Sequence, residues 1–267
     1  MSKRPPTYEE VRSFEPVEPK VEGYFQRDAR DICASDLLVE PLAVDAVVKI
    51  GRYLLNLRPR FVSEDDRDRF IEYMHTGMII APNHSDFTDI ITIGTLAKLY
   101  AGVYPRYIGK ASLPSWLNHL GLIPVDRSER AHSGWLRALL RISDHTLNVE
   151  KRPEIIFPEG VINQYDNVVQ DLKPGVVSLA KIAPIVPIGI HGTSGLVSEF
   201  SAGNVAQTVI FKHDVTVAVG EPINLQPTSL REAGYDVPSK GSDQKEYILL
   251  LLRVLMQEQL NRAVLVS

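Results

Sequence analysis

The stretch Asn83-His84-Ser85-Asp86-Phe87-Thr88-Asp89 sets a histidine and a carboxylate five positions apart, directly after the apolar run Met78-Ile79-Ile80-Ala81. An imidazole at a strand end, with an acid on the next helical turn to orient it, has the parts of a general base. One ring nitrogen takes the proton while the acid fixes the other and stabilises the imidazolium. The same residues also have a purely architectural reading. Asp86, followed three positions later by Asp89, matches a helix N-cap and the acidic residue of a capping box. The pair alone does not choose between these readings.

Other chemistries find no support in the chain. It carries no glycine-rich phosphate loop ending in Gly-Lys-Ser/Thr and no paired-glycine dinucleotide fingerprint. His-x-x-x-His or cysteine pairs suited to zinc are absent. Gly192-Thr193-Ser194-Gly195 lacks the glycine that a nucleophile elbow needs two residues after its serine. Cys33 stands in a polar segment with no histidine beside it, which argues against a thiolate nucleophile. What remains is a base, His84 with Asp89, acting on a substrate hydroxyl.

The elements that must position this pair follow from the apolar pattern. Strands are expected at Met78–Ala81, Arg106–Ile108, Leu122–Val125, Glu154–Phe157 and Ile185–Ile190, with one or two more within Thr208–Val219. Helices are expected from about Asp86 to Leu99, near Ser115–Leu120, over Trp135–Leu147 and Gly175–Ile182, and from Gln244 to about Arg262 behind a Ser242 cap. Strand and helix alternate, which predicts an α/β layered sheet with helices on both faces. In open α/β sheets, sites form beyond the carboxyl ends of the strands. The His84 block, Gly121–Arg127 and Phe157–Gly160 all fall at such places.

Residues 1–35, rich in Pro, Glu and Arg without apolar periodicity, read as a flexible arm, and residues 36–75 as a helical extension. Within that extension Leu37–Leu57 suits a helix with Pro41 in its first turn, packed on the main domain or lying on lipid, and Ser63–Tyr73 reads as a solvated helix or loop. The main domain is placed at residues 76–267.

At this point the residues carry a resemblance to a known family. Asn83–Asp89 resembles the N-H-x-x-x-x-D block of the glycerolipid acyltransferases, the 1-acyl-glycerol-3-phosphate acyltransferase family. Gly121-Leu122-Ile123-Pro124-Val125-Asp126-Arg127 is similar to the second block, a glycine followed six residues later by an arginine, and Phe157-Pro158-Glu159-Gly160 is similar to the third, F-P-E-G. Ile185-Val186-Pro187-Ile188 resembles the fourth, an apolar strand containing proline, and the blocks stand in family order across roughly residues 78–225.

The resemblance implies acyl transfer from acyl-CoA or acyl-carrier protein to a lipid-like alcohol, with 1-acyl-glycerol-3-phosphate as the family acceptor. It makes His84 the general base, Asp89 its partner, Arg127 the ligand of an acceptor phosphate, and Glu159 a hydrogen-bond partner of the acceptor. Gly160 would admit the backbone closely, and Lys110 and Lys173 would contact phosphates of the substrate or CoA. No cofactor is implied beyond the acyl donor. One departure stands out. The family block continues F-P-E-G-T-R-S, whereas this chain continues Val161-Ile162-Asn163, which opens the alternative of a non-phosphorylated lyso-lipid acceptor. A lipid esterase using His84 to activate water and a lipid-binding module without turnover are the other competing readings.

Composition sets bounds around this. Hydrophobic content of 44% and charged content of 23% are ordinary globular values, and a net charge of −4 offers no electrostatic case for nucleic acid. The single cysteine excludes an internal disulfide and fits a reducing compartment. The start, Met1-Ser2-Lys3-Arg4-Pro5-Pro6, has no apolar signal-peptide core behind it. No uninterrupted apolar run approaches the ~20 residues of a membrane span. The expected setting is cytoplasmic, peripheral at a membrane surface.

Overall fold

A computed structural model describes residues 45–46, 48–49, 56–110, 120–125, 133–163, 165, 167–196, 213–239 and 241–267. The arm at 1–35, Cys33, most of the helix expected at 37–57, all but Leu120 of the short helix at 115–120 and Arg127 lie outside the described residues.

Ile79-Ile80-Ala81-Pro82 is buried at every position, the mark of a strand covered on both faces. It is the second strand, β2 (Ile79–Pro82), of a seven-stranded sheet. The others are β1 (Leu57–Phe61), β3 (Arg106–Lys110), β4 (Leu122–Val125), β5 (Glu154–Ile156), β6 (Ile185–His191) and β7 (His213–Val219). Their order across the sheet is β1-β7-β6-β2-β5-β3-β4. Strands β6, β2, β5, β3 and β4 run parallel, while β7 is antiparallel to β6 and carries β1 with it.

Alternation along the strands splits the apolar side chains into two cores. Ile79 and Ala81 of β2, Ile108, Ile123, Ile156 and Ile185 face one of them. There they meet α3 (Ser133–Asp144), α4 (Gly175–Leu179), α5 (Pro227–Glu232) and α6 (Gly241–Val266) through Leu139, Leu179, Leu230 and Leu251. Ile80, Tyr107, Leu122, Ile155 and Val186 face the other core, against α1 (Glu64–Met74) and α2 (Thr88–Leu96) through Phe70, Met74, Ile93 and Leu96. Helices on both faces of a mostly parallel sheet make the α/β layered fold that the alternation predicts.

Several boundaries move. The sheet takes in β1 and the core takes in α1, so the part expected to be a helical extension up to residue 75 already belongs to the layered domain. α1 is not merely solvated, because Asp66, Phe70, Tyr73 and Met74 are buried. The helix expected over Asp86–Leu99 ends as a π-helical turn, Ala97–Ala101, and α3 likewise runs into one at His145–Val149. Ser242 lies inside α6 and its hydroxyl donates to Asp243.

α6 lies tight on β6 because Gly189 has no side chain. A Cβ there would stand 2.3 Å from the backbone of Gln259 and Leu260, closer than atoms can pack. This contact seats the last helix on the strand that neighbours β2.

Glu154 opens β5 at the end of the strand away from His84, and it is fully buried. Burial pushes its carboxyl up to about 7, while the nearby Ser143 and Thr146 hydroxyls and the Arg106 charge pull the other way; neighbouring Glu150 adds to the rise. A carboxyl raised on folding binds its proton in the native state at pH values where the unfolded chain has already lost it. Its stabilising effect is therefore full below the ordinary carboxyl range and lost as pH rises through about 7. Glu154→Gln is expected to gain on the order of 2 kcal/mol relative to the native chain between about pH 5 and about pH 8. Urea unfolding at both pH values checks this, and parallel pH dependence in the two proteins would contradict it.

Candidate active site

Because β6, β2, β5, β3 and β4 run the same way, their carboxyl ends share one edge of the sheet. That edge carries His84 beyond β2, Phe157–Gly160 beyond β5, Lys110 at the end of β3 and Val125 at the end of β4. β2 and β5 are direct neighbours, so the histidine block and the Phe-Pro-Glu-Gly turn lie side by side.

Asn83 extends the ladder past the end of β2. Its Oδ1 accepts from the Ile190 N–H at 2.6 Å and its Nδ2 donates to the Ile190 carbonyl at 3.0 Å. The side chain thus takes the place of a strand rung and fixes where the chain leaves the sheet.

His84 follows. Its Nδ1 lies 3.1 Å from Asp89 Oδ2, which also accepts from the backbone N–H groups of Ser85 at 2.7 Å and Asp86 at 2.9 Å. Asp86 Oδ1 in turn accepts from the Thr88 N–H and hydroxyl at 2.9 and 3.0 Å. The same spacing therefore makes two sets of contacts. Asp86 and Asp89 cap the helix reciprocally, and the cap's own carboxylate holds the imidazole. Asp89 is fully buried, and its hydrogen bonds converge on Oδ2, while Oδ1 has no partner among the described residues. With Nδ1–H donated to this carboxylate, the neutral ring leaves Nε2 as its acceptor. No described residue bonds Nε2, and the His84 side chain keeps 13% of its surface open. The ring stacks on Phe157 at 4.2 Å, so β5 supports one of its faces.

Glu159 has a different place from the one expected. It has no exposed surface, and both of its oxygens are bonded inside the protein. Oε1 accepts from the His84 N–H at 2.8 Å, while Oε2 accepts from Asn163 Nδ2 and the Gln170 N–H, each at 2.9 Å. Burial raises its carboxyl above the usual range, and the Gln170, His84 and Asn163 donors pull it back down. Glu159 therefore joins the turn after β5 to the loop after β2 rather than presenting itself to an acceptor. Gly160 serves the same turn. Its φ of +70° lies in the left-handed region, and its N–H bonds the Phe157 carbonyl at 3.0 Å.

Lys110 and Lys173 are both exposed, at the end of β3 and just before α4. The Lys173 N–H bonds the Pro158 carbonyl at 2.7 Å, which ties its segment to the Phe-Pro-Glu-Gly turn. Val161 and Ile162, where the family pattern has polar residues, are 39% and 52% exposed. Asn163, the next residue, is buried. It and Gln170 are site-shaping residues that sequence reasoning missed: Asn163 showed only as a departure from a pattern, and nothing in its spacing marks Gln170.

Among the described residues no group of His, Cys, Asp or Glu could hold a metal ion, and no helix is long and apolar enough to cross a membrane. Residues 63–191 match the model of a protein family described as Acyltransferase. No curated protein matches the chain.

Proposed function

Through residues 63–191 the chain belongs to the acyltransferase family that its motif blocks resemble, and from that premise we propose that it moves a fatty acyl group from acyl-CoA or acyl-carrier protein to a lipid-like alcohol. The observation that carries this reading is His84, held through Nδ1 by the buried Asp89, with Nε2 at the sheet edge bonded by no described residue. Nε2 takes the acceptor's hydroxyl proton as that oxygen attacks the thioester carbonyl. The tetrahedral intermediate then expels the thiolate, which takes the proton back from the imidazolium. A C–O bond replaces a C–S bond, and no acyl-enzyme forms.

The acceptor of first choice is 1-acyl-glycerol-3-phosphate, in phospholipid synthesis at a membrane surface. Arg127, Lys110 and Lys173 are the cations available for its phosphate. A second reading, a lyso-lipid without a phosphate, is favoured by the exposed apolar side chains of Val161 and Ile162 beyond the Phe-Pro-Glu-Gly turn.

The test is purified protein with acyl-CoA or acyl-carrier protein against glycerol-3-phosphate, 1-acyl-glycerol-3-phosphate and neutral lyso-lipids. Transfer predicts free thiol matched by acylated acceptor. Thiol matched by free fatty acid instead would mean hydrolysis, and would sink the transferase reading. Turnover with the neutral acceptors alone would select the second reading.

A further inference from the structure

We propose that Asn163 and Gln170 are positioning residues for His84, anchored from behind by Arg253 and Gln257 of α6; this rests on His84 being the base. Residues 167–171 run as a strap between α6 and the site. Val169 turns both backbone groups to the helix: its N–H donates to Gln257 Oε1 and its carbonyl accepts from Arg253 Nε, each at 2.8 Å. Gln257 Nε2 also donates to the Asn167 carbonyl and Arg253 Nη1 to Asp171 Oδ1, both at 2.7 Å. Arg253 is only 1% exposed. A guanidinium is costly to bury unless its donors are used, and here Nε and Nη1 secure the strap.

Gln170 faces the opposite way. Its N–H donates to Glu159 Oε2 at 2.9 Å and its Nε2 to Asn163 Oδ1 at 2.8 Å. Asn163 completes the ring, with its N–H on the His84 carbonyl at 2.6 Å and its Nδ2 on Glu159 Oε2 at 2.9 Å. Both peptide groups of His84 are thereby gripped, the N–H by Glu159 and the carbonyl by Asn163. Asp89 orients the ring, but the backbone decides where the ring starts from. A displacement of about 1 Å in a reacting group can cost roughly 100-fold in rate. α6 lies wholly beyond residue 191, so part of the device that aims the base comes from outside the segment that matches the family.

Asn163→Ala and Gln170→Ala in the full chain test this by hydrogen exchange and by kinetics. In both variants the peptide over residues 83–89 is expected to exchange about tenfold faster, with the core strands unchanged. The kcat should fall about 10- to 100-fold while KM for the acyl donor holds within about twofold. Asn163→Asp sets a second carboxyl against Glu159. It should match the alanine variant at neutral pH and recover toward acid, as a shared proton restores the hydrogen bond; a merely structural role would not move the pH profile this way. Native exchange at 83–89 and native kcat in the folded variants would overturn the proposal, as would faster exchange spread over the whole sheet. If Asn163→Ala does not fold, Gln170→Ala decides alone. Should the native protein turn over no acyl donor, the proposed function fails, while the exchange measurement still decides the positioning.

Discussion

His84→Ala is expected to lower acyl transfer by at least about 100-fold while the protein stays folded, the loss typical of a missing general base. The fold should survive because the ring sits at the sheet edge, partly open, and its contacts among the described residues are to Asp89 and Phe157. The backbone of His84, which Glu159 and Asn163 hold, is untouched by the change. Asp89 is the poorer probe of the same mechanism. Its Oδ2 also accepts from the Ser85 and Asp86 N–H groups, so its removal would strip two buried amides of their acceptor and mix a folding defect with a catalytic one. Activity is read as thiol released with an equal amount of acylated acceptor, and folding as the thermal midpoint. A folded His84→Ala protein that keeps most of its activity would remove His84 from the reaction.

The sequence made the histidine block legible because everything that shapes it is local. Asp86, Thr88 and Asp89 bond within a few residues of one another, and a cap and an orienting carboxylate need the same spacing. Glu159 was legible as part of the site but not in its role, since its partners come from a loop after another strand and from Gln170 eleven residues on. Nothing local marks a carboxylate as buried. β1 escaped for a related reason. Leu57-Arg58-Pro59-Arg60-Phe61 alternates, but its outward positions are charged, and its strand partner among the described residues is β7, more than a hundred residues later. Pro59 fits there because an edge strand can spare an N–H. The two π-helical turns, at Ala97–Ala101 and His145–Val149, have no signature that a helical period would reveal.

Asp66→Ala should destabilise the protein by about 3 kcal/mol, the lower end for breaking a buried ion pair, because the Arg262 side of the pair is partly exposed. Asp66 itself has no exposed surface. Its Oδ1 accepts from the Val219 N–H at 2.6 Å, and Arg262 Nη2 reaches Oδ1 at 3.0 Å and Oδ2 at 2.7 Å. The Ser63 hydroxyl donates to Oδ2, and as the N-cap of α1 it accepts in return from the Asp66 N–H at 3.1 Å. One carboxylate thus joins the start of α1, the end of β7 and the last turns of α6. Alanine would leave the buried Val219 amide and Arg262 Nη2 without their acceptor, which costs more than the net worth of the bonds themselves. Asp66→Asn keeps an acceptor for Val219 and should lose less. Arg262→Ala should also lose less, since Arg262 keeps a third of its side-chain surface in solvent. The double variant Asp66→Ala with Arg262→Ala should fall short of the sum of the two, because either change alone already breaks the pair. Denaturant unfolding of the four variants supplies the cycle. Strict additivity would mean that Asp66 acts through the Ser63 cap, the Val219 amide and Arg69, and that α6 is held in place without the Asp66–Arg262 pair.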